Sequence, residues 1–133
     1  MNMTLKRRTF PLLIPAQGPE GSPYEGYAVK VLLTFPSTYP FKPPRIKFAT
    51  KLYHPNVNDD DGSVCDEAFH LDAKSWGPTL DAGHIIRVIY GALGMPNDES
   101  PINAEAGRMF RDNKELWKKT AKSTLEKYGA KSW

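Results

Sequence analysis

The sequence predicts an α+β fold, because strand patterns fill its first part and helix patterns its last part. Apolar and polar residues alternate up to residue 48, whereas apolar residues at helical spacing recur after residue 80. The chain has 133 residues and a net charge of +3. We therefore expect one domain, residues 1–133, that buries its core without a disulfide or a metal.

The strands are predicted from period-two patterns and their boundaries from turn formers. Residues 10–16 form a first candidate strand, and the following segment 18–26 is rich in Gly, Pro and Ser, which favour turns. A third, short strand is predicted around residues 45–48. The second strand, residues 27–35, has an apolar face that consists of Val29, Val31, Leu33 and Phe35.

Four prolines lie between the second and third strands, at positions 36, 40, 43 and 44. Each proline fixes φ and removes a backbone donor, so this segment cannot be a central strand. We expect a rigid extended loop here.

A first helix is predicted for residues 81–93, and Gly94 and Pro96 end it. We expect it to be the central helix of the core. Its apolar stripe consists of Ile85, Ile86, Ile89, Tyr90 and Leu93.

Two more helices follow. Asn103 is a suitable N-cap for a helix over residues 104–111, and either Asp112 or Asn113 caps a last helix that stops at Gly129. The apolar stripe of that last helix consists of Leu116, Trp117, Ala121, Leu125 and Tyr128.

Composition excludes several classes of function. The sequence contains no apolar run of about 18 residues, so we expect neither a membrane span nor membrane binding. Basic residues near both termini suit a solvated helix face better than nucleic acid, because no stacking-aromatic motif or zinc pattern accompanies them. We expect a soluble protein of the reducing cytoplasm, the nucleus or both, with no metal and no cofactor.

Cys65 is the only cysteine of the chain and follows the tripeptide His54-Pro55-Asn56 by nine residues. A lone thiol is either a small buried hydrophobe or a nucleophile. Acidic residues on both sides, from Asp59 to Glu67, indicate a polar turn and favour an accessible sulfur. Both readings stay open on spacing alone.

Several motifs, in order and with nearly the same spacing, resemble the ubiquitin-conjugating enzymes. The resemblance runs from about residue 10 to the C-terminus. Its most specific blocks are Tyr39-Pro40-Phe41-Lys42-Pro43-Pro44 and His54-Pro55-Asn56, upstream of the single cysteine. The later matching motifs are Gly62-Ser63-Val64-Cys65, Trp76-Gly77-Pro78, Pro96-Asn97 and Pro101.

The resemblance implies a UBC-like fold, in which an antiparallel meander sheet packs on a central helix with further C-terminal helices. It also implies an ATP-dependent cascade. Ubiquitin or a ubiquitin-like protein arrives from an activating enzyme as a thioester. It then passes to a lysine of a protein substrate or to a cysteine of a ubiquitin ligase.

The same resemblance assigns roles to single residues. Cys65 is the thioester nucleophile, and Asn56 stabilises the oxyanion or orders the adjoining loop. His54 and Pro55 shape the active-site turn, and the alternative for His54 is a general base. Ser100 matches the family residue that orients the attacking lysine. A serine before a proline is also a common turn residue.

The resemblance places the ligase-facing surface on two loops, at Phe41 and Lys42 and at Gly77 and Pro78. The alternative for Phe41 is core packing. His70 and His84 show no metal-ligand spacing with Cys65, and neither receives a role.

The sequence also departs from the family. Fewer than ten residues precede residue 10, where family members have a first helix that binds the activating enzyme. Asp66 replaces the usual Leu after the cysteine, and the interval from Cys65 to Trp76 is longer by about three residues than in short members. Two functions therefore stay open: an active conjugating enzyme, and a non-catalytic module that binds ubiquitin or a ligase. A papain-like thiol hydrolase that uses Cys65 with His70 or His84 fits neither the length nor the local motif.

Overall fold

The structure is a computed structural model that describes residues 11–128 and 130–132. Residues 1–10, where the family's first helix would lie, are outside this range, so the expected absence of that helix stays a prediction. In chain order the elements are β1 (Pro11–Gln17), β2 (Tyr27–Thr34), β3 (Arg45–Phe48), α1 (Ala82–Gly94), α2 (Ala104–Asp112), α3 (Lys114–Lys127) and β4 (Lys131–Ser132).

The sheet is antiparallel and is built around β2. β1 pairs along β2 with Val31 opposite Ile14, and β3 pairs along the other edge with Val31 opposite Phe48. β4, which sequence analysis did not predict, pairs with Tyr27 and Ala28 at the start of β2. The α+β meander is confirmed.

The predicted alternation in β2 is confirmed for Val29, Val31 and Leu33, which are all buried. Successive side chains of a strand point to opposite faces, so these three form one apolar layer. The predicted strand extends one residue too far, because β2 ends at Thr34. Phe35 lies outside the strand and packs edge-on against Tyr39, with ring centroids 4.8 Å apart.

The proline segment is a loop, but the expectation of an extended loop is wrong. Tyr39 N–H donates to the Pro36 carbonyl at 3.0 Å, and Phe41 N–H donates to the Thr38 carbonyl at 2.9 Å. These bonds form consecutive turns, so the loop is compact.

α1 begins after Asp81, whose carboxylate accepts the His84 backbone N–H at 2.9 Å. The predicted apolar stripe is partly wrong, because Ile86 and Tyr90 are about half exposed. The buried stripe has the spacing of a single helix face and consists of Ile85, Ile89, Ala92 and Leu93.

Asn103 caps α2 as predicted, since its side chain accepts the Ala106 N–H at 3.1 Å. Asn113, rather than Asp112, caps α3. The buried stripe of α3 is Trp117, Ala121 and Leu125, whereas the predicted members Leu116 and Tyr128 are exposed. Gly129, the predicted stop, lies outside the described residues.

Two further findings bear on function. None of the helices in residues 11–128 and 130–132 is long and apolar enough to cross a membrane. Within the same residues, no group of three or more His, Cys, Asp or Glu side chains has an arrangement that could hold a metal ion.

Candidate active site

His54 anchors the turn that precedes Cys65. Its ring is fully buried between Tyr24 and Phe69, with centroids 6.0 and 6.5 Å away. Nε2 lies 2.8 Å from the Ala92 carbonyl at the end of α1, and Nδ1 accepts the Asn56 N–H at 2.9 Å. Nε2 therefore carries the proton, because a carbonyl can only accept.

Burial lowers the pKa of His54 to about 4, although the bond to the Ala92 carbonyl opposes this effect. The imidazole is therefore neutral at physiological pH. Both ring nitrogens are occupied by backbone groups, which leaves neither free to exchange a proton with a reacting group. This geometry agrees with the structural role that the resemblance gives to His54.

Asn56 joins the turn to the loop after α1 through two hydrogen bonds. Its Nδ2 donates to the Asn97 carbonyl at 2.6 Å, and its Oδ1 accepts the Asn97 N–H at 2.8 Å. The residue is 1% exposed. The carboxamide is thus held in one orientation, and one of its two Nδ2 hydrogens is already used.

Pro55 lies between these two residues and makes a third connection. Its carbonyl accepts the N–H of Asn103, the N-cap of α2, at 3.0 Å. The turn therefore contacts α1, the following loop and α2 through three successive residues.

Cys65 is positioned by the same turn, because its N–H donates to the Asn56 carbonyl at 3.0 Å. The residue is partly exposed, as the acidic surroundings predict. It opens onto a groove of about 340 Å³ that is also lined by Asn56 and Ser100. The structure therefore brings together the three residues to which the resemblance gives chemical roles.

Ser100 reaches this groove from the loop after α1. Asn97 orders that loop, since its Oδ1 accepts the Glu99 N–H at 3.0 Å. Ser100 itself is exposed and precedes the half-buried Pro101. Its hydroxyl can contact a molecule that enters the groove.

The carboxylates that share the groove are Glu67, Asp72 and Glu99. Asp72 is kept ionised, because a hydrogen bond from Ser75 lowers the pKa of its carboxyl group. His70, which received no role from the sequence, lines the same groove. Its position depends on a backbone turn that residue spacing does not reveal.

Hydrogen bonds within the acidic turn before Cys65 stabilise its local structure. The Asp61 carboxylate accepts the N–H and the hydroxyl of Ser63, at 2.9 and 2.7 Å, and these bonds lower its pKa. Gly62 has φ +79°, and a Cβ there would collide with the Phe48 carbonyl. The Phe48 N–H donates to the Gly62 carbonyl at 2.8 Å, which ties the turn to β3.

The two predicted ligase-facing loops are joined by Trp76. Its indole N–H donates to the Pro40 carbonyl at 2.8 Å. Phe41 is 76% exposed, so the alternative of core packing is wrong. Lys42 and Pro78 are also exposed, and Gly77 is half-buried.

Comparisons with known proteins give consistent results. The family model for ubiquitin-conjugating enzymes matches residues 3–125. A curated Dictyostelium discoideum protein, ubiquitin conjugating enzyme E2 B, is 39% identical over 112 residues, which are 84% of this chain and 73% of that protein.

Solved structures show the same similarity. A Plasmodium yoelii protein described as a ubiquitin conjugating enzyme has a TM-score of 0.81 and 33% identity, covering 93% of this chain and 78% of that chain. The E2 domain of a Toxoplasma gondii ubiquitin conjugating enzyme has a TM-score of 0.80 and 32% identity, covering 89% of this chain and 80% of that chain.

Proposed function

This chain belongs to the ubiquitin-conjugating enzyme family, and on that premise we propose that it carries ubiquitin or a ubiquitin-like protein as a thioester on Cys65. The modifier then passes to a lysine of a substrate or to a cysteine of a ligase. The observation that carries the proposal is the partly exposed Cys65, the only cysteine of the sequence, in one groove with Asn56 and Ser100.

The first step is an exchange of thioesters. The Cys65 thiol loses its proton and attacks the thioester carbonyl of the modifier on the activating enzyme. A new C–S bond forms at Cys65, the old C–S bond breaks, and the sulfur of the activating enzyme takes up the proton. The tetrahedral intermediate carries a negative oxygen that needs a hydrogen-bond donor.

Asn56 serves this step through its fixed carboxamide. Its bonds to Asn97 hold the loop beside the thiol, and the second Nδ2 hydrogen is the donor that we assign to the oxyanion. Removal of one such donor in other enzymes lowers the rate by about 100- to 1000-fold. The neutral, buried carboxamide of Asn56 is therefore sufficient to stabilise the oxyanion.

The acceptor side involves Ser100. A hydroxyl can orient a lysine but is a weak base, so we expect Ser100→Ala to slow discharge to free lysine by roughly tenfold. Discharge to free cysteine should stay nearly unchanged, since a thiol ionises near neutral pH. Ser100→Asp should keep or increase the lysine reaction. Equal losses on both acceptors would mean that Ser100 only shapes the loop.

The partners in this proposal are the activating enzyme, a ligase and a protein substrate. Phe41 and Lys42 are exposed on the proline loop, and the Trp76–Pro40 bond holds that loop beside Gly77 and Pro78. A large apolar side chain on a constrained loop loses little entropy when it enters a partner pocket. We assign this surface to the ligase.

The decisive experiment combines the chain with activating enzyme, ATP and ubiquitin or a related modifier. We expect an adduct that a reducing agent removes. Cys65→Ser should give a reductant-resistant oxyester, and Cys65→Ala should give no adduct while its circular dichroism spectrum stays unchanged. Ligase binding without an adduct from any modifier would instead identify a non-catalytic module.

A further inference from the structure

The chain after Cys65 forms one helical turn that ends at His70. The Leu71 N–H donates to the Asp66 carbonyl at 2.8 Å, and the His70 N–H donates to the Glu67 carbonyl at 3.2 Å. This pair of bonds is a Schellman motif, whose left-handed position is usually a glycine. Here it is a histidine with φ +56°.

His70 is the one non-glycine residue with positive φ in the part of the chain that the structure describes. A left-handed conformation is unfavourable for a residue with a Cβ. Such departures persist mainly at functional sites. The turn would end as well or better with glycine, so its geometry does not explain the imidazole.

The position of the His70 side chain gives a reason for a histidine at this turn. His70 is exposed and lines the same groove as Cys65 and Ser100. His70 belongs to the segment after Cys65, and Ser100 belongs to the loop after α1. An acceptor that reaches Cys65 through this groove enters a space that both residues line.

A lysine that attacks the thioester must first lose a proton, because its ammonium has a pKa near 10.4 in model peptides. Ser100 can orient the amine but cannot take that proton efficiently. We propose that His70 is the proton acceptor for the attacking lysine. This inference rests on the thioester function proposed for Cys65.

The ammonium gives one proton to the neutral imidazole, and the free amine attacks the thioester carbonyl carbon. A C–N bond forms, the C–S bond breaks, and its electron pair goes to Sγ of Cys65. The second proton leaves the nitrogen for that thiolate, which yields an amide, an imidazolium and a free thiol.

The charges around His70 favour an attacking lysine that arrives as an ammonium group. Glu67 and Asp72 flank His70 on its own segment, and Glu99 faces the groove from the loop after α1. A hydrogen bond from Ser75 lowers the pKa of the Asp72 carboxyl group. These carboxylates favour entry of an ammonium group into the groove.

The test measures single-turnover discharge of ubiquitin from preloaded Cys65 to free lysine and to free cysteine, between about pH 5.5 and pH 8.5. In the parent protein, lysine discharge should show an inflection that reports the ionisation of its proton acceptor. His70→Asn tolerates the left-handed backbone but accepts no proton. We expect it to lose the inflection and to slow lysine discharge by about 100-fold, with cysteine discharge unchanged.

His70→Gly separates chemistry from folding. It relieves the left-handed backbone, so its Tm should equal or exceed that of the parent, while lysine discharge falls as in His70→Asn. Added imidazole should partly restore that discharge. His84→Asn is the matched control, because His84 lies on α1 and not in the groove.

Three results would overturn the inference. A pH profile of His70→Asn that keeps the parent inflection removes His70 from the step. Equal losses for lysine and cysteine acceptors assign it to the shape of the loop. Failure to load Cys65 at all overturns the thioester function and this inference together, whereas normal loading with unchanged lysine discharge in both His70 variants overturns only the role of His70.

Discussion

The two walls that meet at Cys65 are built in different ways. On one side, His54 and Asn56 are buried, and their side chains bond to groups about 40 residues away along the chain. On the other side, residues 66–76 are held mainly by short-range bonds, such as Leu71 N–H to Asp66 and Trp76 N–H to Asp72.

This difference separates two tasks of one site. Long-range bonds to buried groups fix the neutral donor Asn56, and the Asn56 carbonyl in turn holds the backbone of Cys65. Short-range turns leave polar and charged side chains free to meet an incoming acceptor. The two histidines follow the same division, since His54 is buried with both nitrogens occupied and His70 is exposed in the groove.

The largest effect that this comparison predicts is a loss of stability in acid. The unfolded chain protonates His54 near pH 6.5, whereas the folded protein does so only near pH 4. The contribution of His54 is thus complete above pH 6.5 and falls as the pH drops towards 4. At about 1.4 kcal/mol per pH unit, this amounts to roughly 3 kcal/mol in the free energy of unfolding.

Urea denaturation at pH 7 and pH 4 measures this effect. His54→Gln should be less stable than the parent at pH 7 but should lack this part of the pH dependence. His70→Asn is the control and should keep the parent slope. If His54→Gln and the parent lost equal stability in acid, other groups would be responsible.

The second prediction concerns Asn56→Ala, which removes both bonds to the Asn97 backbone. We expect the free energy of unfolding to fall by about 2 kcal/mol, because two hydrogen bonds are lost and a partly buried loop must rehydrate. Asn97→Ser keeps the backbone groups that Asn56 binds and should cost less than about 1 kcal/mol. Equal costs in urea denaturation would contradict the asymmetry between the two residues.

The smallest effects are expected at Trp76, the last residue of the segment 66–76, and at Phe41 on the proline loop. Trp76→Phe removes the 2.8 Å bond to the Pro40 carbonyl but keeps an aromatic ring near Tyr39, so we expect a loss of about 1 kcal/mol. Phe41→Ala should change the free energy of unfolding by less than about 0.5 kcal/mol, since the side chain is exposed. Thermal unfolding of the two variants measures both changes. A loss for Phe41→Ala as large as that for Trp76→Phe would show that the Phe41 side chain contributes to stability.

The parts of the fold that were predicted correctly depend on local signals. The alternation of Val29, Val31 and Leu33 and the cap at Asn103 are encoded within a few residues. β4 was missed because its two residues carry no pattern and pair with a strand about a hundred residues earlier. Ile86 was placed in the core wrongly, because periodicity does not show which flank of an apolar stripe is covered.

The candidate site follows the same division. Cys65, Asn56 and Ser100 were found through motifs, and the structure brings them into one groove. Their roles in catalysis stay predictions. Sequence analysis provided no reason to assign His70 a role, because its place depends on a left-handed turn and on a groove that a loop thirty residues later also lines. The acidic turn drew attention through its composition, yet its Asp61 serves local bonding.

The three connections of the 54–56 turn also determine which wall of the groove can move. His54 holds the end of α1, Asn56 holds the middle of the next loop, and Pro55 holds the start of α2. Opening that loop would break bonds at several points together, so it belongs to a cooperative unit whose opening approaches the cost of global unfolding. Widening of the groove for entry or release therefore falls to the exposed part of residues 66–76, because Phe69 and Leu71 of that segment are buried and Trp76 bonds to Pro40.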